Sequence, residues 1–406
     1  MTGSTTLSPL RYRIFLYLLL GSLLSNFGNA IQSVGAAWHL TASGQPADIV
    51  ALMQSATNLP IMLLALPAGA WADMFDRRVV MLGAQCGMFL LSVGLAALAA
   101  RGTASPMIVI GLTALLACGV AIFNPALSAS IGGIVPRTEL AAAVALNILA
   151  FNVARSLGPA IGGGIVALGG AQAAFVANAL SYLAVIVILW RWRPDEAAPP
   201  DRKPLLAAIA EGFRFARQSA PVRTIMLRAV TFTTTGAAAW ALMPLVAADL
   251  LGKGSVTFGL LLGALGLGAV IGAASATWFR TRYASEAIVR AAGILYGLGC
   301  VGVSLAPPLP LMLVLLVASG AGWVQALSGF SVAGQLWSPR PLVGRVTAMV
   351  SSLTFGGIAL GSWLWGHVAE SHGVAIALLA SGVGMVVLPV IGLLLPMPRH
   401  EASAAQ

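Results

Sequence analysis

Arg155 and Arg228 are the two cations that fall inside long apolar runs of this chain. A guanidinium at the centre of a membrane helix costs about 2.5–3.5 kcal/mol on insertion scales, so it faces water or other helices rather than lipid. Arg155 can offer a planar, bidentate donor to an anionic group on a cargo molecule, such as a carboxylate or a catecholate. It can equally serve the carbonyls freed around Pro159, or reach Asn124 or Asn147. Arg228 is the second candidate of this kind, and its position near a span end also lets it snorkel toward the headgroups. Asn26, Gln32, Asn58, Trp240, Trp323 and Gln325 could line a cavity for an amphipathic molecule through amide hydrogen bonds and ring stacking. Each could instead bridge two helices.

Within the apolar runs there is no His and carboxylate cluster, no metal-ligand spacing, no Gly-x-Ser-x-Gly and no phosphate-binding glycine loop. The parts of a membrane hydrolase or an ATP-driven pump are therefore missing, and neither enzyme activity nor a cofactor nor a metal is expected. The 12 acidic residues all fall in loops or near the ends of apolar runs. Proton coupling needs a group whose protonation follows the conformational state, which leaves Asp48, His367 and Glu370 as the candidates. The 3 cysteines, Cys86, Cys118 and Cys300, lie singly in apolar runs and read as core residues.

The elements that position these residues are membrane helices. Of 406 residues 59% are hydrophobic and 8% charged, against roughly 25% charged in an average soluble domain. The first apolar run, after Arg11 and Arg13, has the basic flank of a signal peptide but continues through Asn26, Asn29 and Gln32 to Trp38. That is about the 20 residues a bilayer needs, so the segment is expected to be retained as a span. Eleven further runs follow, the sixth from Ala173 to Trp190, making twelve. Trp38, Trp71 and Trp190 lie near span ends and read as interfacial anchors. Between Arg191 and Arg223 prolines alternate with charges. There Leu206, Ile209 and Phe213 oppose Glu211, Arg214 and Arg217 at helical spacing, as in a helix lying on the membrane surface.

The net charge of +10 is explained by position rather than by nucleic acid. With both termini in the cytoplasm, only Arg101 and Lys253 fall outside and Arg155 and Arg228 within spans, leaving 18 of the 22 basic residues inside. The halves also repeat in parallel. Pro136-Arg137 recurs at Pro339-Arg340 with an offset of 203, which also relates Gly158 to Gly361 and Gly163 to Gly366. The expected fold is an all-α polytopic membrane protein of twelve transmembrane helices in two parallel-repeat six-helix bundles, residues 1–190 and 222–406, joined by a cytoplasmic linker at 191–221.

Two short stretches punctuate this plan. From Gly69 to Arg78 the chain turns tightly between spans two and three, with Asp73, Asp76, Arg77 and Arg78 close together. Asp76 is placed to cap the third span and Asp73 to pair with Arg77, offsetting two cations at a helix start. In span five, Gly158, Pro159 and Gly162 set small residues four apart beside a helix-breaking proline, which implies a bend or a close helix seam.

On these stretches the chain resembles the major facilitator superfamily. The loop is similar to its Gly-x-x-x-Asp-[Arg/Lys]-x-Gly-[Arg/Lys]-[Arg/Lys] signature at Gly69, Asp73, Arg77 and Arg78, with Met74 and Asp76 departing from it. Span five resembles the Gly-Pro-x-x-Gly antiporter signature, with Ala154 where an upstream glycine usually sits. Ser25-Asn26-Phe27-Gly28, Leu66-Pro67-Ala68-Gly69, Asn152-x-Ala154-Arg155, Ala210-Glu211-Gly212-Phe213-Arg214 and Trp363-x-Trp365-Gly366 narrow the resemblance to the transmembrane secretion effector group, which includes the enterobactin exporters.

The resemblance implies alternating access about a site near the bilayer midplane. It also implies a conformational gate at Gly69, Asp73, Asp76, Arg77 and Arg78, and inward proton flow as the driving force. The fourth span lacks the arginine found in many proton antiporters. The expected protein is a monomeric secondary active transporter of the bacterial inner membrane, exporting a small amphipathic molecule, a siderophore or a drug-like compound. Its expected partners are that small molecule, the lipid bilayer and protons, and no nucleic acid. Uptake or lipid flipping on the same scaffold is the alternative within transport, and a non-transporting sensor the alternative outside it.

Overall fold

The structure, a computed structural model, describes residues 7–193, 205–339, 342–394 and 396–397, with backbone only at 66, 69–70, 72–73, 205–209, 391 and 393–394. After a short 3-10 turn, Ser8–Arg11, the chain forms α1 (Arg13–Ala42), α2 (Ala47–Met74), α3 (Arg77–Ala100), α4 (Pro106–Ile134), α5 (Leu140–Arg191) and α6 (Leu205–Gln218). There follow α7 (Ala220–Leu245), α8 (Ser255–Arg280), α9 (Ser285–Ser304), α10 (Leu309–Leu336), α11 (Val343–His372) and α12 (Val374–Leu394). The described residues hold no strand.

Among the described residues 10 helices are long and apolar enough to cross a membrane, and Val374–Val390 is a shorter apolar stretch. One of the ten, α5, has 52 residues and is interrupted by non-helical backbone at Gly170, with φ 68° and ψ −175°. A straight helix of that length would measure about 78 Å, more than twice the hydrocarbon thickness of a bilayer. It is two spans, 140–169 and 171–191, joined by a single glycine in a conformation other residues avoid. With α12 the described residues make twelve crossings. Where the sequence suggests a gap before Ala173, the helix resumes at once, because a glycine can reverse the chain without a polar loop.

By contacts the chain forms two compact units. The first comprises Met1–Gln45, Pro67–Asp201 and Gly252–Gly263, and the second Pro46–Leu66, Arg202–Leu251 and Ala264–Gln406. In the first unit α1 is clasped by both arms of α5. A methyl group added at Gly158 would stand 2.6 Å from Ala30 Cβ, and one at Gly162 3.0 Å from Ile31 Cα. On the other arm Ala174, Asn178 and Ser181 crowd Gly35 and Gly28. Gly163 meets the first turns of α8, where a Cβ would come within 2.5 Å of the Ser255 carbonyl oxygen. The Gly158-Pro159-Ala160-Ile161-Gly162-Gly163 stretch therefore serves two helix seams, α1 on one side and α8 on the other. Trp38 stacks on Phe258 at 6.3 Å rather than standing alone at a span end, whereas Trp190 is exposed.

The parallel repeat reappears in contacts within each unit. Arg78 donates from Nε to the Leu189 carbonyl and from Nη2 to that of Trp190, both at 2.7 Å, fastening α3 to the end of α5. Arg290 of α9 likewise donates to the Gly392 carbonyl near the end of α12, at 3.2 Å. Before α1, Arg11 pairs with Glu139 at the start of α5. Before α7, Glu211 pairs with Arg345 at the start of α11, at 2.7 Å. The second pair repeats the first with its charges exchanged, which is why a search for identical residues passes over it.

Candidate functional site

In the first unit the polar groups divide by burial. On a helix in lipid, an exposed side chain faces either hydrocarbon or water, and an amide or hydroxyl in hydrocarbon is costly. Asn124 and Ser128 are exposed, one turn apart on α4 beside Pro125, and Asn26 and Arg155 are half-buried. Asn147 and Asn152 of α5 are half-buried as well. Arg155 stands four residues before Pro159, whose ring crowds its carbonyl. Ser128 was not among the expected residues. Its signal is Asn124-Pro125-Ala126-Leu127-Ser128, two polar groups at i and i+4 in an otherwise apolar run.

Gln32 lies on the other side of this division. It is buried, and its Oε1 accepts from Ser92 Oγ of α3 at 2.8 Å and from Asn178 Nδ2 of α5. Asn178 Nδ2 also donates to the Tyr182 hydroxyl at 3.1 Å, and that hydroxyl donates to Asn29 Oδ1 of α1. The network ties three helices together in a medium where each unmet polar group would be expensive.

In the second unit Trp323 is buried among rings, with centroids 5.1 Å from Tyr296, 5.5 Å from Phe232 and 6.2 Å from Trp240. Trp240 is half-buried at the margin of this aromatic group. Gln325 is buried and donates to the Gly272 carbonyl at 3.0 Å and to Ser275 Oγ at 3.1 Å, binding α10 to α8. Its Oε1 is buried without a hydrogen-bond partner. Asn58 is buried and donates to the Gln54 carbonyl of its own helix at 2.6 Å.

Arg228 is 7% exposed and pairs with Glu286 at the start of α9. The same carboxylate takes Arg290 Nε at 2.6 Å and the Met397 N–H at 2.7 Å. Arg228 and Arg290 also edge a cleft lined by Phe232, Phe330 and Leu388. One carboxylate shared between two guanidiniums fastens α7, α9 and the chain beyond α12 at one point.

At the tight turn, Asp76 Oδ1 accepts from the N–H groups of Arg78 at 2.8 Å and Val79 at 3.4 Å, capping α3. Arg77 donates to the Ala129 carbonyl of α4 at 2.8 Å. The Asp73 side chain lies outside the described residues, and Gly69 is described by its backbone alone.

Asp48, His367 and Glu370 come together from opposite ends of the sequence. His367 Nδ1 stands 3.9 Å from Asp48 Oδ2. Glu370 Oε2 accepts from the Ala47 N–H at 2.6 Å, setting an anion on the first turn of α2. Ser55 Oγ donates to the Ala359 carbonyl at 2.7 Å further along the same two helices. His367 also stacks on Trp363 at 6.2 Å. Among the described residues no group of three His, Cys, Asp or Glu could hold a metal ion.

Twelve apolar crossings among the described residues, with paired arginine fastenings and polar groups set inside the spans, match the architecture of membrane transporters of the major facilitator type. The xylose transporter XylE from E. coli, in an inward-open conformation, shares this fold with a TM-score of 0.73 at 12% identity, over 97% of each chain. The family model for transmembrane secretion effectors matches residues 4–406, and the chain belongs to that family. It is 28% identical over 408 residues to the multidrug efflux pump Tap of Mycolicibacterium fortuitum, spanning 96% of this chain and 98% of that one. It is 26% identical over 353 residues to the enterobactin exporter EntS of Shigella boydii, spanning 85% and 82%.

Proposed function

We propose that the protein exports a small amphipathic anion, a siderophore or a drug-like compound, across the bacterial inner membrane by alternating access, in exchange for protons. The observation that carries the reading is the likeness, along most of the chain, to two proteins named as exporters, Tap and EntS. Arg155 supports the anionic character of the cargo. A half-buried guanidinium in a membrane span retains its cost of insertion unless it serves helix or cargo, and a planar fork suits a carboxylate or catecholate. Asn26, Asn124 and Ser128 supply neutral hydrogen bonds beside it.

The proposed organisation is two six-helix bundles, residues 1–190 and 222–406, with the linker 191–221 and both termini in the cytoplasm. The working unit is a monomer. The turn holding Gly69, Asp73, Asp76, Arg77 and Arg78 is the gate, and Asp73→Asn slows transport without blocking insertion. Asp48, His367 and Glu370 are the proton-responsive set, supported by their meeting at the start of α2. The Glu370 carboxylate holds the Ala47 N–H, which ties α11 to the first turn of α2.

The test is untargeted metabolite profiling of cells and medium from a knockout, the complemented strain and an Arg155→Ala strain, with and without iron. The reading expects an anionic metabolite retained in the knockout, released on complementation and retained again in Arg155→Ala cells that still carry the protein in their membranes. Release by the Arg155→Ala strain at the complemented rate would remove Arg155 from the cargo path. No metabolite difference between knockout and complemented strains would overturn export of an endogenous anion.

A further inference from the structure

The linker helix α6 has three faces rather than the two of a simple amphipathic helix. Gly212 and Ala216, four apart, are buried. A Cβ added at Gly212 would stand 3.1 Å from Arg345 Cβ, so this face is already filled. Phe213 lies about 100° round the helix from Gly212 and is 61% exposed. Arg214 and Arg217, three apart, form a third face and are both exposed. The acid of the helix, Glu211, pairs with Arg345 at 2.7 Å. Arg223, also exposed, donates to the Arg217 carbonyl at 3.3 Å and adds a third guanidinium beside them.

The position of the helix decides what meets these two outward faces. Only Ser219 separates α6 from α7, a membrane span, and its N–H continues the helical bonding to the Phe215 carbonyl at 2.9 Å. The end of α6 therefore sits at the bilayer surface, where an exposed phenyl ring beside arginines meets acyl chains and headgroups. A helix that served only as a tether would gain nothing from an aromatic residue aimed away from the protein.

We propose that α6 is a lipid-docking helix that reads the anionic phospholipid content of the leaflet it meets. Phe213 enters the edge of the acyl region, and Arg214 and Arg217 bind phosphate oxygens of acidic headgroups. Because Glu211 and Gly212 fasten the opposite face to the start of α11, occupancy of this helix by lipid is transmitted to a membrane span. The proposal does not depend on the identity of the cargo.

The test uses the full chain, with Phe213→Cys spin-labelled in a background lacking Cys86, Cys118 and Cys300, reconstituted in vesicles of phosphatidylcholine with or without phosphatidylglycerol. The expected result is a label accessible to oxygen and shielded from a water-soluble nickel reagent in the anionic vesicles. That contrast is lost in phosphatidylcholine alone and in R214Q/R217Q, since two arginines account for about a thirty-fold change in membrane partitioning. Nickel accessibility in both vesicle types would overturn the proposal. Shielding from both reagents would overturn it too, by indicating a protein partner or a second copy. Equal depth with and without phosphatidylglycerol would refute the anionic recognition. Hydrogen exchange of 205–219 in the unaltered protein, compared between the two vesicle types, decides the matter if the cysteine-free background does not fold: protection that rises with anionic lipid supports the proposal, and protection that ignores it overturns it.

Discussion

Replacing Glu286 by Gln removes the carboxylate that Arg228 and Arg290 share while keeping its size. Arg228 and Glu286 are 7% and 17% exposed, so neither recovers full hydration when the other is lost. Breaking a buried pair by removing one member costs about 3–5 kcal/mol. Arg290 is 33% exposed and adds less, because water screens what remains. The converse substitution, Arg228→Met, leaves Glu286 with Arg290 and the Met397 N–H, a neutral pair with a satisfied acceptor, and costs about 1.5–3 kcal/mol, the value of a hydrogen bond to a charged group.

The order of the two variants is therefore set by charge balance. Thermal unfolding in mild detergent can be followed by maleimide labelling of the native thiols, of which Cys300 on α9 is buried beside the affected helices. At about 2 °C per kcal/mol, Glu286→Gln lowers the midpoint by about 6–10 °C and Arg228→Met by roughly half as much. A larger effect from Arg228→Met, or a shift below about 2 °C for Glu286→Gln, would refute the view that this cluster fastens α7, α9 and α12.

Gly320→Ala is expected to abolish stable expression or cut the unfolding midpoint sharply, because its Cβ would stand 2.0 Å from the Leu265 carbonyl oxygen, whereas Gly83→Ala, with nothing within 4 Å, is expected to change neither. Asp76→Ala, which removes the cap of α3, is expected to cost about 1 kcal/mol of stability and to be rescued by Ser or Asn, as thermal melts of the three variants would show. Glu370→Gln together with Asp48→Asn is expected to flatten the pH profile of transport while leaving the amount of inserted protein unchanged. An unaltered profile would remove both residues from coupling.

The helical plan was legible because lipid imposes it. Composition, run length and the placement of arginines suffice to count spans, since backbone in hydrocarbon has few alternatives. Gly170 was not legible as a one-residue turn, for the surrounding Ala167-Leu168-Gly169-Gly170-Ala171 carries no polar signal. Arg228 could be singled out from sequence, but Glu286, 58 residues away on another helix, could not be assigned to it. The same limit applies to Gln32, whose polarity suggested a cavity although Ser92 and Asn178 claim its oxygen. Both partners are lone polar residues within apolar runs, which is a usable sign of a buried bridge. Asp48, His367 and Glu370 were each visible as titratable residues near span ends, yet their meeting depends on α2 lying along α11, which no local pattern encodes.

Everted membrane vesicles test the account most directly. With respiration acidifying the interior, a dye reports the pH gradient while an anionic siderophore or a Tap-type drug is added from outside. Export by proton exchange predicts that an accepted cargo accumulates in the vesicles and partly collapses the gradient in membranes carrying the protein, and not in membranes lacking it or bearing Arg155→Ala. Cargo movement that ignores the gradient, or runs out of acidified vesicles instead of into them, would contradict it.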